Sequence, residues 1–309
     1  MRYQARMPMI DVLRSGVNTW ECDQMGHMNV RYYFARANQG LAMLALELGM
    51  PPSQLRRDGL ALRAVDQHVR FIRELRPGVY FTVRAGIVAA TPDRLQVYEE
   101  MRFVHKDEVV ASMISEVALV DGATNKPVTF SASALERARA FATLVPAETG
   151  PRGIERVKPR VPPQRSEALE LNMAGAYLGP VLPEDCDGFG VMLESAFMAR
   201  VSDGIGHYFQ QLRGTQRDPN IGGAALEYRY VFHERPQLGD VIEIRSGLKG
   251  LGNKTNNIGH WIFNVETGRC AATSEAIAVS FDLTTRKALD IPADVREMLK
   301  SRIVPGLTV

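Results

Sequence analysis

The chain has 309 residues, with 37 Lys and Arg against 35 Asp and Glu and a formal net charge of +2. That balance gives no support for a nucleic-acid ligand, and no apolar run approaches the roughly 18 residues of a membrane span. Three cysteines without a CxxC pair argue against disulfides and a structural zinc, and residues 1–6 lack the apolar core of a secretion signal, so a cytoplasmic protein is expected.

In chain order, the first strong signal is Glu21-Cys22-Asp23 followed by Gly26. Behind it Val30, Tyr33, Phe34, Ala37, Leu41, Leu44 and Leu48 recur at i, i+3, i+4, i+7, which predicts a long helix. Gly49 supplies its stop, and Pro51-Pro52 forbids its continuation. Several arginines fall between Arg56 and Arg84; they could suit a phosphorylated ligand, but each alone reads as part of a solvated face. Strands are predicted from Val79 after the Pro77-Gly78 turn, over 95–105 and over 110–120, and a short helix over 134–141. Residues 146–165 are rich in Pro and charge and read as a semi-stiff linker between domains at 1–145 and 166–309.

The same order then returns, offset by 164 residues at first and by 161 further on. Asp185-Cys186-Asp187 and Gly190 precede a helical stripe of Met192, Phe197, Val201, Ile205, Tyr208 and Leu212, ended by Gly214. Gly204 and Gly206 lie inside that helix and suggest close packing. Strands follow from Val241, over 256–265 and over 270–280, with a closing helix over 293–302. Residues 247–255 evoke a phosphate loop, but Asn253 breaks the Gly-Lys-Thr order and a hairpin turn is expected. Asn256, Asn257 and His260 form a polar group on a predicted strand, as a hairpin flank would. Cys22 and Cys186, at matching positions, read as small buried hydrophobes. The chain is one α+β fold written twice, each copy a long helix whose broad apolar face a curved antiparallel sheet can cover.

An Asp just before a helix is by itself usually a capping residue, Gly26 a turn residue and a lone His structural. The joint pattern Asp23-Gln24-Met25-Gly26-His27-Met28-Asn29, continued by Tyr32-Tyr33 and Arg76-Pro77-Gly78, resembles the Asp-x-x-Gly-His-x-Asn signature of hotdog-fold acyl-CoA thioesterases of the 4-hydroxybenzoyl-CoA thioesterase type. The first copy resembles that family closely and the second loosely. The resemblance implies two tandem hotdog domains paired as an intramolecular pseudo-dimer, acting on an acyl-CoA without a cofactor or metal. Asp23 matches the carboxylate that serves as nucleophile or general base. Val30 matches the residue whose N–H at the helix start binds the thioester carbonyl. His27 and Asn29 are assigned to orienting the loop or the thioester. In the second copy His27 becomes Val191, Asn29 becomes Leu193, and Glu194 stands where Val30 stands in the first. Asp187, with Glu194, is either an altered second site or a vestige, and the vestige is the favoured reading.

Two rivals remain open at this stage. A hotdog hydratase or dehydratase would carry an Asn-Pro-x-His stretch, which this sequence lacks, and a non-catalytic acyl-CoA binding protein would release no thiol. Neither GxSxG nor HExxH occurs. The acyl group, the choice between CoA and an acyl carrier protein, and monomer against further homo-oligomer are not readable from these residues. No nucleic-acid or membrane partner is expected.

Overall fold

The computed structural model describes residues 9–214 and 218–309; residues 1–6, read above for a signal, lie outside them. The chain divides into two compact units, Met1–Gly150 and Pro151–Val309.

In the first unit β1 (Ile10–Gly16) leads to the long helix α1 (Val30–Glu47). A short helix α2 (Pro52–Arg57) follows, then β2 (Leu60–Phe71), β3 (Tyr80–Ala90), β4 (Leu95–Phe103), β5 (Val109–Asp121), the two-residue β6 (Pro127–Val128) and α3 (Ala132–Arg139). The strands pair antiparallel in the order β1-β3-β4-β5-β2, with β6 on β5. Helix α1 stops at the expected place, with Gly49 at φ +78° just beyond Leu48. Its buried face is Tyr33, Phe34, Ala37, Gly40, Leu44 and Ala45, and the Tyr33 ring meets Phe71 of β2 edge-on at 5.0 Å.

The second unit repeats this plan. A short helix α4 (Arg165–Glu170) precedes β7 (Ala174–Pro180) and the long helix α5 (Glu194–Arg213). Then come β8 (Ile221–Phe232), β9 (Val241–Leu251), β10 (Thr255–Asn264), β11 (Cys270–Asp282) and α6 (Ala293–Lys300). The antiparallel order is β8-β11-β10-β9-β7, the first unit's order read from the other end. The duplication extends to the irregularities. Extra residues sit in the first unit at Val12, Val65, Val88 and Val110. In the second they sit at the equivalent Ala176, Leu226, Lys249 and Ala271. Each bulge bends its strand and adds local twist, so the curvature that lets a sheet wrap a helix is built in at four matched places.

The two long helices also pass their sheets at a matched glycine. A Cβ on Gly40 would collide with the Glu99 carboxyl of β4, and one on Gly204 would stand 2.7 Å from the Ala176 carbonyl oxygen of β7. Close packing is therefore the role of Gly204. Gly206 has open space beside it, so the same expectation fails there.

Other expectations are corrected by burial. Cys22 and Cys186 are half-buried, each thiol directed at a backbone carbonyl (Asn18 and Leu182) at 3.5 Å; Cys270 is the buried one. The arginines between 56 and 84 do not form one patch. Arg63 is buried on the Gly122 carbonyl, Arg70 holds the carbonyls of Glu148 and Gly150, and Arg73 pairs with Glu108. Asn256 and Asn257 flank the turn between β9 and β10 as expected, opposite Leu251 and Gly250, whereas His260 lies fully buried further along β10. Residues 252–254 do form the expected turn between β9 and β10. The Pro-rich segment is held down over residues 152–157: Glu227 accepts the N–H groups of Arg152, Gly153 and Ile154, and buried Arg229 donates to the carbonyls of Glu155 and Val157. No helix among the described residues is long and apolar enough to cross a membrane.

Candidate functional site

Between β1 and α1 the chain makes one short 3-10 turn, Thr19–Glu21, and then the signature loop. The loop closes on itself before entering the helix. Cys22 bridges to Met28, the Asp23 N–H donates to the His27 carbonyl at 3.0 Å, and the Gly26 N–H donates to the Asp23 carbonyl at 3.0 Å. Gly26 adopts φ +75°, a conformation that side chains other than Gly, Asn and Asp rarely take. The Met28 N–H then donates to the Leu75 carbonyl at 2.7 Å, which pins the loop to the segment between β2 and β3.

These contacts bring Asp23 and His27 together on the loop that leads into the helix. One Asp23 oxygen accepts the Met25 N–H at 2.9 Å, and the other lies 3.4 Å from His27 Nδ1, with the two side chains 20% and 12% exposed. Asn29 is the N-cap, its Oδ1 accepting the Arg31 N–H at 3.0 Å. Val30 is the first helical residue, so its N–H has no acceptor within the helix. A half-buried carboxylate beside an imidazole can take a proton from water or attack a carbonyl, and the N–H groups at the start of a helix can receive the negative charge that develops on oxygen.

The second copy keeps the loop and changes its contents. The Asp187 N–H donates to the Val191 carbonyl at 2.8 Å, Gly190 takes φ +75°, and Asp187 Oδ1 accepts the N–H groups of Phe189 and Val191 at 2.9 and 3.1 Å. Leu193 caps α5 without a side-chain hydrogen bond. Glu194 starts the helix in a buried ion pair, 2.8 Å from Arg235, whose guanidinium lies 4.4 Å from the Phe232 ring centre. Where the first copy offers an apolar helix start with a His and an Asn before it, the second is filled by a carboxylate and its counter-ion.

Reading the sequence alone missed the anchor of each loop. Glu21 is buried; its Oε2 accepts the Asn18 N–H at 2.8 Å, its Oε1 binds Arg36, and its carbonyl accepts the Asn29 N–H at 2.8 Å. Asp185, Arg200 and Leu193 make the same three-way junction, with Arg200 2.6 Å from Asp185. A signal was available, because both partners recur at the 164-residue offset.

The model of a thioesterase-like superfamily matches residues 17–138 and 181–299, segments that contain both loops and both long helices. Fold and match together define a thioester hydrolase built from two hotdog-like units. The chain belongs to the thioesterase-like superfamily. Among solved structures it is similar to an oleoyl thioesterase (putative) from Lactobacillus plantarum, with 11% identity, TM-score 0.66, and coverage of 89% of this chain and 97% of that one. A 12:0-ACP thioesterase from Umbellularia californica gives 12%, 0.65, 87% and 93%. An acyl-ACP thioesterase from Bacteroides thetaiotaomicron gives 10%, 0.63, 86% and 96%. At such identities the likeness is one of fold. No curated protein matches the sequence.

Proposed function

We propose that the protein hydrolyses an acyl-CoA to a carboxylate and free CoA, with Asp23 as the reacting carboxylate. The observation that carries this reading is the Asp23–His27 contact of 3.4 Å, on a loop that runs directly into the Asn29 cap and Val30. Acting as base, Asp23 would take a proton from the water that adds to the thioester carbonyl. Acting as nucleophile, it would form a mixed anhydride as the C–S bond breaks, and water would then cleave the anhydride. In either route the Val30 N–H would meet the carbonyl oxygen, a donor of a kind worth about 100- to 1,000-fold in rate. His27 and Asn29 would orient the loop and the thioester.

The Asp187 loop is proposed not to hydrolyse: Val191 and Leu193 replace the His and the Asn, and Arg235 neutralises Glu194 at the helix start. Pairing of the two units as an intramolecular pseudo-dimer is proposed on the doubled signature and the family resemblance. Because two structures of like fold carry names with an acyl carrier protein, both carriers belong in the assay. Thiol release is to be measured across acyl-CoAs and acyl carrier protein thioesters of short, long and aromatic acyl groups, for the natural protein, Asp23→Asn and Asp187→Asn. Asp23→Asn should lower turnover by at least about 100-fold with the fold intact, and Asp187→Asn should leave it near the natural rate. Full turnover by Asp23→Asn would remove Asp23 from the reaction.

A further inference from the structure

We propose that Glu21 and Arg36 are positioning residues for Asp23, holding its loop in register with the first turn of α1; this rests on the reading of Asp23 as the reacting carboxylate. Asp23 stands two residues after Glu21, and the loop it begins returns to Glu21 at its far end, where the Asn29 N–H meets the Glu21 carbonyl at 2.8 Å. Both ends of the loop therefore depend on where the Glu21 backbone sits. Its side chain fixes that place twice, through the Asn18 N–H and through Arg36, which stands nearly two turns along α1 and also holds Gln39 at 3.1 Å. The pair is withdrawn from water, with side-chain exposures of 4% and 14%. A buried carboxylate–guanidinium pair is stiff, because loosening it strands two charges away from solvent.

The second copy builds the same device with other residues. Asp185 replaces Glu21, Arg200 replaces Arg36, and Asp203 takes the place of Gln39, 2.8 Å from Arg200. What differs is the cargo: the loop held by Asp185 lacks the His and the Asn. This makes a control internal to the chain, in which the same mechanical link can be cut beside an active loop and beside an idle one. Misplacing a reacting group by about 1 Å can cost about 100-fold in rate, so the two cuts should differ in kcat, and any general loss of stability should be common to both.

The experiment uses the full chain and measures kcat and KM for thiol release, with melting temperature, for Arg36→Met, Glu21→Gln, Glu21→Asp, Arg200→Met and Asp23→Asn. Arg36→Met should lower kcat by about 10- to 100-fold with KM changed less than about threefold. Arg200→Met should lose comparable melting temperature and keep kcat when assayed well below it. Glu21→Asp should retain most of kcat, since an aspartate serves in the second copy. Should Arg36→Met fail to fold, the near-isosteric Glu21→Gln decides the matter: a loss of about tenfold in kcat supports the proposal and an unchanged kcat overturns it. Equal kcat losses in Arg36→Met and Arg200→Met would show a global effect and overturn it too. If Asp23→Asn is inactive while Arg36→Met keeps full kcat, this proposal fails alone. If Asp23→Asn stays active, the reading of Asp23 fails and takes the proposal with it.

Discussion

Replacing Glu99 by glutamine should turn a pH-dependent weakness of the first unit into a flat baseline. Glu99 lies on β4 between Ala85 and Met113, is 2% exposed, and points at Gly40 of α1, its Oε1 finding no hydrogen-bond partner among the described residues. Burial alone pushes its carboxyl well above its ordinary value of 4.5, and no charged neighbour contributes. Between the ordinary value and the raised one, the folded chain holds a proton that the unfolded chain has released. The stability this group confers is therefore complete below about pH 4.5 and is lost as pH rises through the folded value. Within that window one proton corresponds to about 1.4 kcal/mol per pH unit. Glutamine matches the neutral acid in shape and does not titrate. Glu99→Gln should thus equal the natural protein near pH 4 and gain on it by about 1.4 kcal/mol per unit above that, until the natural Glu99 ionises in the folded state. Urea unfolding followed by circular dichroism from pH 4 to 8 reads this directly as the difference between the two curves, in which all other titrating groups cancel. If the units unfold in separate steps, the step of the first unit carries the difference. Parallel curves across the whole range would refute the reasoning.

Three further substitutions test the second unit. His260 is fully buried, and burial pushes its imidazole from 6.5 down to about 3, so between those values the unfolded chain holds the extra proton and stability falls as the medium is acidified. His260→Phe should remove about 1.4 kcal/mol per pH unit of that acid-side slope in the same urea experiment, whatever its offset at neutral pH. Gly204→Ala should cost about 1 to 3 kcal/mol, because the obstructing atoms belong to the β7 backbone and cannot swing away. Gly206→Ala, with nothing within 4 Å of its new Cβ, should gain up to about 1 kcal/mol of helix propensity. Thermal melting of the two variants side by side checks the pair, and equal shifts would refute it.

The two long helices announced themselves because their burial is one-sided. Helix α1 and helix α5 carry an apolar stripe against a polar back, and a glycine marks each end, so period and stop agree. Strands β2 and β8 went unread because neither alternates through its length: Asp66-Gln67-His68 is an unbroken polar run in β2, and Gly222-Gly223 opens β8. Arg63, Asp66, Gln67 and His68 are buried in β2, and Glu227 and Arg229 in β8. An alternation rule that equates polar with exposed has nothing to follow there. The two arginines are satisfied by distant chain, Arg63 by residues 122 and 125 and Arg229 by residues 155 and 157. Such pairings exist only once the fold does. The four matched bulges were hidden for a related reason: a bulge belongs to a pair of strands, and a single run of sequence does not show where its partner slips by one.

The loop before each long helix shows how far scaffold and chemistry can separate. The residues that shape it, a glycine at φ +75°, an Asp before it, and a carboxylate bound to an arginine two turns along the helix, persist in both copies. The residues proposed to orient the loop and the thioester, His27 and Asn29, persist in one. Selection for folding alone accounts for the first set, since removing one partner of a buried ion pair costs about 3 to 5 kcal/mol wherever it sits. It does not account for the second, since neither Val191 nor Leu193 stops its loop from closing. The shared signature thus suffices as a folding signature, and on the proposed reading an Asp in it reacts only where a His and an Asn accompany it. A substitution that carries the second copy's residues into the first, His27→Val with Asn29→Leu, should therefore leave the loop standing and abolish thiol release.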